Sequence, residues 1–589
     1  MKEKLKQLLS TRFSLPKAAL IEEAVGKLSL TEKVIFYSLA SLLALSAGAA
    51  LWQVSQSYTV EVKAYGGTLN EGVIGLPRFI NPVLATSDAD RDLTALVYSG
   101  LLKATPAGAL APDLAESYAI SEDGLTYTFN LKKGLTFQDK KPLTADDVVF
   151  TIGKAQEPTI KSPKRPNWEG VEVVKVNNLQ VKLKLRQPYP PFLENLTLGV
   201  MPKHLWNNIG SEEFQFSILN TEPVGSGPYK LKTVERNVSG TPLYYNLEAF
   251  DRSASGKPFI KNIIFHFYQN SADMLNAYGN GSIESLANIS PQQASAIKAG
   301  GGRLERTPLP RVFAVFFNQN RQPVLANKEV RQALNIAADK EAVVTKVLNG
   351  DGIAIESPIP SGLLQKNEIP ASKAPYESDA ARVTAAKKIL EDAKWKFNDK
   401  EKIYEKKVKK NTVPLAFSVS TSNAPELKAT AEMLKAMWEK IGARVDVKIF
   451  DIGELNQNVI RTRKYDALLF GEIIGRDLDL FAFWHSSQRN DPGLNIALYA
   501  NAKADKFLET ARVDGSLETR LEKYKSFERE VQNDIPAVFI YSPDFLYVAP
   551  KSLKGFSLGH ITTPAERFLG IENWYLETEK VWKIFAPQQ

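Results

Sequence analysis

The stretch from Val34 to Val60 carries no charge, and between Val34 and Trp52 it is almost wholly apolar. Nothing else in the chain constrains its disposition so strongly. Nineteen helical residues rise about 1.5 Å each and span roughly 28 Å, close to the hydrocarbon thickness of a bilayer. Ser29-Leu30-Thr31-Glu32 has the capping-box pattern just ahead of the run. Tyr37 and Trp52 fall near its two ends, where amphipathic rings favour the membrane interface. The first 33 residues hold seven Lys or Arg against four Glu, and the positive-inside rule keeps such an end in the cytoplasm. Ala47-Gly48-Ala49 offers small residues to a signal peptidase, but 33 residues before the apolar core is long for a cleaved signal sequence. The expectation is a cytoplasmic basic segment over 1–33 and a retained transmembrane anchor over 34–54. That makes a single-pass cell-membrane protein whose C-terminal domain is extracytoplasmic.

No second apolar run approaches spanning length, so the exported part should be one soluble body. At 589 residues the chain exceeds a single hydrophobic core. It contains no Cys, which removes disulfides, thiolate metal sites, Cys nucleophiles and lipid attachment through Cys. The first 33 residues contribute +3 of the net charge of +8, and the remaining +5 is spread thinly over the rest. The densest basic run, Lys406-Lys407-Val408-Lys409-Lys410, suits a solvated Lys-rich hairpin and lacks the aromatic partners of a nucleic-acid surface.

Residues 61–320 are rich in strand signals. Leu125–Leu131 and Leu135–Phe137 alternate between turn signals at Asp123-Gly124 and Lys132-Lys133-Gly134. Val171–Val176 and Leu179–Leu185 alternate around Asn177-Asn178, a hairpin signal. Thr144-Ala145-Asp146-Asp147 starts a helix with acids where its dipole favours them. Residues 411–475 follow another pattern. A strand at Leu415–Val419 precedes an amphipathic helix over Glu426–Ile441, then a strand around Val445, Val447 and Ile449. A second helix near Gly453–Thr462 leads into Tyr465–Phe470. This β-α-β-α-β order predicts a parallel sheet with right-handed crossovers. Ligands of such sheets sit beyond the carboxyl ends of the strands, which singles out Ser420–Asn423 and Gly471–Asp479.

Catalytic patterns are absent. The four His residues, His204, His266, His485 and His560, show no metal-ligand spacing. Gly225-Ser226-Gly227 lacks the frame of a nucleophile elbow, and there is neither a P-loop nor a G-x-G-x-x-G. Asp88, Asp90 and Asp92 resemble the start of a calcium loop, but Leu93 stands where Gly is required and no Glu closes it. Asp477 and Asp479 are neighbouring loop acids without an acid–base frame. No catalytic residue, metal site or cofactor is expected.

The segment "APDLAESYAISEDGLTYTFNLKKGLTFQDKKPLTADDVVFTI" (Ala111–Ile152) resembles the signature region of extracellular solute-binding proteins of the oligopeptide/dipeptide class, partners of ABC importers. "GGTLNEG" with "INP" (Gly66–Pro82), "VYSGLLK" (Val97–Lys103) and "VGSGPYKL" (Val224–Leu231) are similar to further motifs of that family. So is "FNQNRQPVLANKEVRQALNIAADKEAVV" (Phe317–Val344), and the likeness extends over most of 64–585. The resemblance implies an α/β, two-lobe, periplasmic-binding-protein-like (type II) fold with an extra lobe-1 subdomain, here preceded by one transmembrane helix. Lobe 1 would hold 61–310, with the subdomain about 83–215, and lobe 2 would hold 311–544. Residues 545–589 would return to lobe 1. The crossings would fall near Pro308-Leu309-Pro310 and Tyr541-Ser542-Pro543, and closure would turn on them.

The function implied is capture of a peptide or other small solute and its delivery to ABC permease subunits and their ATPase, with no enzymatic turnover and no nucleic acid. The expected ligand contacts are Ser87, Asp88, Tyr98 and Tyr229 on lobe 1, and Asn423, Glu472, Arg476, Asp477 and Trp484 on lobe 2. Family members often place an Asp after the last lobe-2 strand to pair with a peptide ammonium. That position falls on or near Ile474 here, which leaves Glu472 and Asp477 as the nearest acids and Arg476 as a carboxylate fork. A nickel chelate, haem or an oligosaccharide bound by the same fold is an alternative ligand. An anchored exported hydrolase and an envelope scaffold are the alternatives of other classes.

Overall fold

The computed structural model describes residues 25–360 and 378–586, together with Glu23 and Tyr376. Of the basic segment expected over 1–33, positions 1–22 and 24 lie outside the described residues, as do 587–589 at the other end.

The chain forms two units. The smaller comprises Met1–Ala64 and Glu577–Gln589. Its helix α1 (Leu30–Tyr58) starts ahead of the expected anchor because Ser29 and Glu32 cap it. The Ser29 N–H donates to Glu32 Oε2 at 2.9 Å and the Glu32 N–H donates back to Ser29 Oγ at 3.4 Å. The window Leu30–Gln53 has a mean hydropathy of 2.0 and none of it is buried. Beyond the helix, Thr59–Ala64 pairs antiparallel with Glu577–Trp582. Residues 61–64 and 577–589, expected in lobe 1, therefore belong to this smaller unit. The two strands find each other instead of the main sheet, with Val60 opposite Val581 and Glu61 opposite Lys580.

The larger unit, Tyr65–Leu576, is organised by a 12-stranded sheet. In chain order its strands are β1 (Gly66–Ile74), β2 (Tyr229–Arg236), β3 (Pro242–Ala249), β4 (Ile260–Tyr268), β5 (Ser285–Ala287) and β6 (Arg303–Pro308). They continue with β7 (Arg311–Phe317), β8 (Gly352–Ala354), β9 (Ala416–Ser422), β10 (Arg444–Phe450), β11 (Ala467–Ile473) and β12 (Ala537–Ala549). The spatial order is β10-β9-β11-β7-β12-β5-β1-β4-β3-β2, with β6 and β8 also on β12. The first half of β12 pairs with β7, from Phe316↔Ala537 to Phe313↔Tyr541, and its second half pairs with β6, from Pro308↔Asp544 to Arg303↔Ala549. The chain thus passes between the halves once at Pro308–Arg311 and once at Tyr541–Asp544. Each half has its own interior. One core draws on residues 69–309 and 545–574, while two others draw only on 312–541. These are the two lobes.

The local reasons are those of the sequence. Helix α2 (Asp88–Val97) is capped by Ser87. Its three acids have three separate surroundings. Asp88 lies at the lobe surface, Asp90 accepts the N–H groups of Arg78 and Phe79 at 2.7 and 2.8 Å, and Asp92 is buried against Arg567. A four-stranded sheet, Ala115–Ile120, Thr126–Leu131, Gln180–Lys184 and Glu172–Asn177 in spatial order, forms the subdomain. Tyr127, Phe129 and Leu131 point into a core continuous with that of lobe 1. Helix α3 (Ala145–Gln156) covers this region, and its capping box is Thr144 with Asp147. Leu135–Phe137 forms no strand and contributes only a bridge between Thr136 and Pro142. Gln138 pulls the segment away. It donates to the Tyr229 carbonyl at 2.8 Å and accepts from the Gly225 N–H at 2.9 Å. Gly225 and Gly227 are required there, because a Cβ on either would lie 2.0 Å from the Val97 carbonyl oxygen or 2.5 Å from that of Leu96. In lobe 2, α4 (Pro425–Lys440) connects β9 to β10, which are parallel, and β9 is also parallel to β11. The second expected helix is a short turn at Ile452–Glu454 that runs into a π-helix over Leu455–Ile460. Helix α5 (Leu517–Asp534) packs against the same lobe.

One ionic cluster joins the distant parts of lobe 1. Arg567 donates to Glu71 on β1 at 2.8 Å and to Asp92 on α2 at 2.6 Å, and all three side chains are buried. Tyr547 on β12 donates to the same Glu71 at 2.9 Å. Removing one member leaves a buried charge without its partner. Arg567→Ala is expected to cost about 3–5 kcal/mol in chemical denaturation of the full chain, whereas replacing Glu71, Asp92 and Arg567 together by apolar residues of similar volume should recover most of it.

Candidate functional site

The candidate site is the cleft between the lobes. Its lobe-1 wall includes the face of α2 that bears Arg91, Thr94 and Ala95, the end of the 3-10 segment Pro190–Thr197 and the C-terminal segment from Thr562 to Glu572. Its lobe-2 wall consists of the loops that follow β9 and β11, and β7 begins at its hinge end. A cavity of about 430 Å³ is lined by Arg91, Tyr98, Lys164 and Glu194 from lobe 1 and reaches Arg476 from lobe 2. A second hollow of about 410 Å³ lies between Ile74, Asn288 and Gln292 on lobe 1 and Pro425 and Glu426 on lobe 2.

The loop after β11 bridges the lobes. The Arg476 guanidinium donates to Glu566 at 2.6 Å and to the His560 carbonyl at 3.2 Å. The Asp477 N–H donates to Glu194, while the Asp477 carboxylate takes Arg520 of α5 within its own lobe. Asp479 accepts the Tyr189 hydroxyl at 2.8 Å and faces Arg512 at 3.2 Å. The charge density of this loop therefore has a structural use, holding the lobes together and the loop to its lobe. Burial pushes the Glu194 carboxyl up to about 7, and the negative charges of Asp477 and Glu566 add to that, against the pull of the Asp477 N–H and Arg476.

The sequence-expected residues divide into two groups. Asp88, Tyr98, Arg476 and Asp477 stand at the cleft or its cavity. Asp88 faces Arg91 at 3.4 Å and accepts from Asn288 at 3.2 Å, and the Tyr98 hydroxyl is buried in the cavity wall with no partner. Ser87 caps α2 close by, and Asn423 donates to Asp451 at 2.6 Å beyond the ends of β9 and β10.

Tyr229, Glu472 and Trp484 are corrections. Tyr229 is fully buried in lobe 1 and donates to the Ile260 carbonyl at 3.0 Å. Trp484 is fully buried in lobe 2 among Phe316, Tyr499, Phe527 and Phe539. Glu472, on β11, points into lobe 2 and accepts the Trp484 Nε1–H at 3.1 Å. Burial raises its carboxyl well above the usual range, against the pull of the Trp484 N–H, and this disfavours the charged form that would pair with an ammonium. The reason is register. At the end of β11 the acid faces inward and Ile473 faces outward, 55% exposed, the reverse of what hydrophobicity suggests.

Sequence reasoning missed Arg311, Arg91 and Lys164. Arg311 opens β7 directly opposite Ile473, and its Nε is buried without a hydrogen-bond partner. Burial depresses its pKa, the charge of Asp88 opposes that shift, and Arg91 adds to it. Arg91 also repels Lys164 across the cavity wall. Among the described residues no carboxylate pairs with Arg311 or Lys164. Arg311 thus has Asp88 and Arg91 as charged neighbours, and Arg91 in turn neighbours Lys164. A lone Arg after Leu309-Pro310 carries no motif, so only the fold brings it to this place.

Residues 109–493 match the sequence model of the family described as bacterial extracellular solute-binding proteins, family 5 Middle. The oligopeptide-binding protein AppA of Bacillus subtilis is 28% identical over 518 residues, covering 87% of this chain and 92% of that protein. Among solved structures, the Bacillus subtilis oligopeptide-binding protein in complex with a nonapeptide matches with a TM-score of 0.68 at 27% identity, over 88% of this chain and 100% of its own. NikZ from Campylobacter jejuni, in complex with Ni(L-His), matches with a TM-score of 0.68 at 28% identity, over 86% of this chain and 99% of its own.

Two outcomes follow from the geometry. Trp484→Ala should destabilise lobe 2 by about 3–5 kcal/mol, as deletion of a buried aromatic does, and this is read by denaturant unfolding. The second concerns pH. The buried Glu194 carboxyl keeps its proton up to about 7, whereas a solvated Glu loses it near 4.5. Contact between the lobes is therefore favoured on the acid side and loses that contribution as pH rises from 4.5 through about 7. Interlobe distance measured by fluorescence transfer should lengthen over that interval in the wild type, and Glu194→Gln should flatten the profile.

Proposed function

The chain belongs to the family 5 bacterial extracellular solute-binding proteins, and from that premise we propose that it captures peptides between its lobes and delivers them to an ABC importer. In this reading lobe 1 is 65–310 with 545–576 and lobe 2 is 311–544. The N-terminal helix stays in the membrane and tethers the exported part, doing the work that a lipidated Cys would do in a chain that had one. The observation that carries the reading is the cleft itself. Two lobes with separate cores share one strand, β12, and meet across it through a bridging ion pair, Arg476 with Glu566. Rotation at the two crossings opens and closes such a cleft without breaking either core.

The peptide reading rests on the oligopeptide-binding relatives. Charge in the cleft suggests which end of the peptide is held. With Glu472 buried against Trp484 and Asp477 engaged by Arg520, the cations that make no ion pair among the described residues are Arg311 and Lys164, and Arg91 beside them is shared with Asp88. These suit a carboxylate, which a guanidinium fork holds by charge-assisted bonds. The likeness to NikZ supports a second reading, in which a metal chelate is held through the carboxylate of its organic ligand. In both readings the protein binds and releases its ligand unchanged.

The test is titration of the full-length protein in detergent with a tetrapeptide library, with binding followed by calorimetry and closure by small-angle scattering. Saturable binding with a decrease in radius of gyration is expected, and Arg311→Gln should weaken free-acid peptides about tenfold while leaving C-terminal amides unchanged. Closure driven by a nickel–histidine complex and by no peptide would transfer the case to the second reading. Cleaved peptide in the mixture would identify a hydrolase, and a cleft that closes on nothing would leave a scaffold.

A further inference from the structure

The ribbon that ends the described chain belongs to a different unit from the cleft. The strand Glu577–Trp582 runs antiparallel to Thr59–Ala64, so the chain finishes by coming back toward α1. The register sets Trp582 opposite Thr59, the first residue after the helix. Lys583–Phe585 then makes one 3-10 turn. Three of the four residues from Trp582 to Phe585 are large and apolar, and they stand in the open, with Trp582 49%, Ile584 82% and Phe585 74% exposed. Tyr58, at the end of the helix, is 59% exposed.

Depth follows from helix geometry. The apolar window of α1 ends at Gln53, and the helix continues to Tyr58. Those five further residues rise about 8 Å. A headgroup layer adds roughly 5–8 Å outside the hydrocarbon on each side. With the apolar window in the hydrocarbon, Tyr58, Thr59 and the Trp582 paired to it lie at the outer edge of that layer, and the returning chain heads into it. Tryptophan and tyrosine are the residues that this layer favours, isoleucine and phenylalanine bury their area at its inner boundary, and a lysine among them can meet lipid phosphate.

We propose that Trp582–Phe585 is a second membrane contact, which seats the C-terminal end of the chain in the headgroup layer beside α1. It rests on α1 being membrane-spanning. A lone helix lets the segment that follows it swivel freely. A second contact at the same depth, tied to the first by the ladder from Thr59↔Trp582 to Ala64↔Glu577, fixes the ribbon's orientation to the surface.

The chain has no Cys, so single labelling sites can be introduced without removing any. The full-length protein would carry an environment-sensitive fluorophore at Lys583→Cys, at Leu45→Cys in the helix, or at Val238→Cys, a fully exposed position of the larger unit. It would be reconstituted in vesicles of phosphatidylethanolamine and phosphatidylglycerol containing spin-labelled lipid. Emission from 583 should shift to the blue relative to 238 and be quenched more by headgroup-placed than by chain-end spin labels, with the opposite order at 45. Adding Trp582→Ser and Phe585→Ser to the 583-labelled chain should return its emission to that of 238. If 45 is lipid-shielded while 583 stays water-like, or if the serine replacements leave 583 shielded, the proposal is overturned and the anchor stands. If 45 is also water-like, the anchor reading fails and the proposal fails with it.

Discussion

A single thirteen-residue strand, β12, is the constraint on which the rest of this architecture depends. Its ladder continues from one lobe into the other, so neither lobe can complete its sheet without it. Prolines cluster where the lobes meet: Pro308 and Pro310 on one crossing and Pro543 on the other. Proline donates no N–H, so the ladder is thinnest at the place where rotation is needed. The crossings are still tied together, because the Leu309 N–H donates to the Pro543 carbonyl at 3.0 Å and the Ser542 hydroxyl donates to the Leu309 carbonyl at 2.8 Å. Such bonds hold two chain segments side by side and leave the lobes beyond them free to turn.

Arginines show how the same charge serves opposite ends. Arg567 is surrounded by two carboxylates and a carbonyl, and every charge in its cluster is satisfied, which suits a fixed interior. Arg476 is paired across the cleft, where its bond can be made and broken with lobe motion. Arg311 makes no ion pair among the described residues, with Arg91 beside it and Asp88 as the one acid whose charge reaches it. Desolvating a cation without pairing it is costly, and a protein that binds an anion there recovers that cost on binding.

The apolar helix and the cleft occupy different units of the molecule. The smaller unit contains the apolar helix and the two-stranded ribbon; the larger contains the sheet, both lobes and the cleft. An isolated two-stranded ribbon is only marginally stable in water. Contact with a surface would supply what a third strand or a packed helix supplies elsewhere.

Much of the fold was legible in the sequence, because its signals are local. The uncharged run over 34–52, the alternation of Tyr127, Phe129 and Leu131, the Thr144–Asp147 cap and the β-α-β pattern of 411–475 each follow from periodicity within one element. The crossings near Pro308–Pro310 and Tyr541–Pro543 came from the family resemblance; in the structure Tyr541–Pro543 lies within β12, and Pro308–Pro310 joins β6 to β7, both of which pair with β12. The site was legible only in part. Asp88, Tyr98, Arg476 and Asp477 stand at the cleft, but Glu472 and Trp484 turned inward, Tyr229 joined a core, and Arg311 went unnoticed. The reason is that the face a residue presents at the end of a strand depends on register, and a one-residue shift sends every side chain to the other side. Register at β11 is set by its pairing with β7, Arg311 opposite Ile473 and Val312 opposite Glu472, residues more than 150 positions apart in sequence. Periodicity within a segment cannot carry that information; only the assembled sheet contains it.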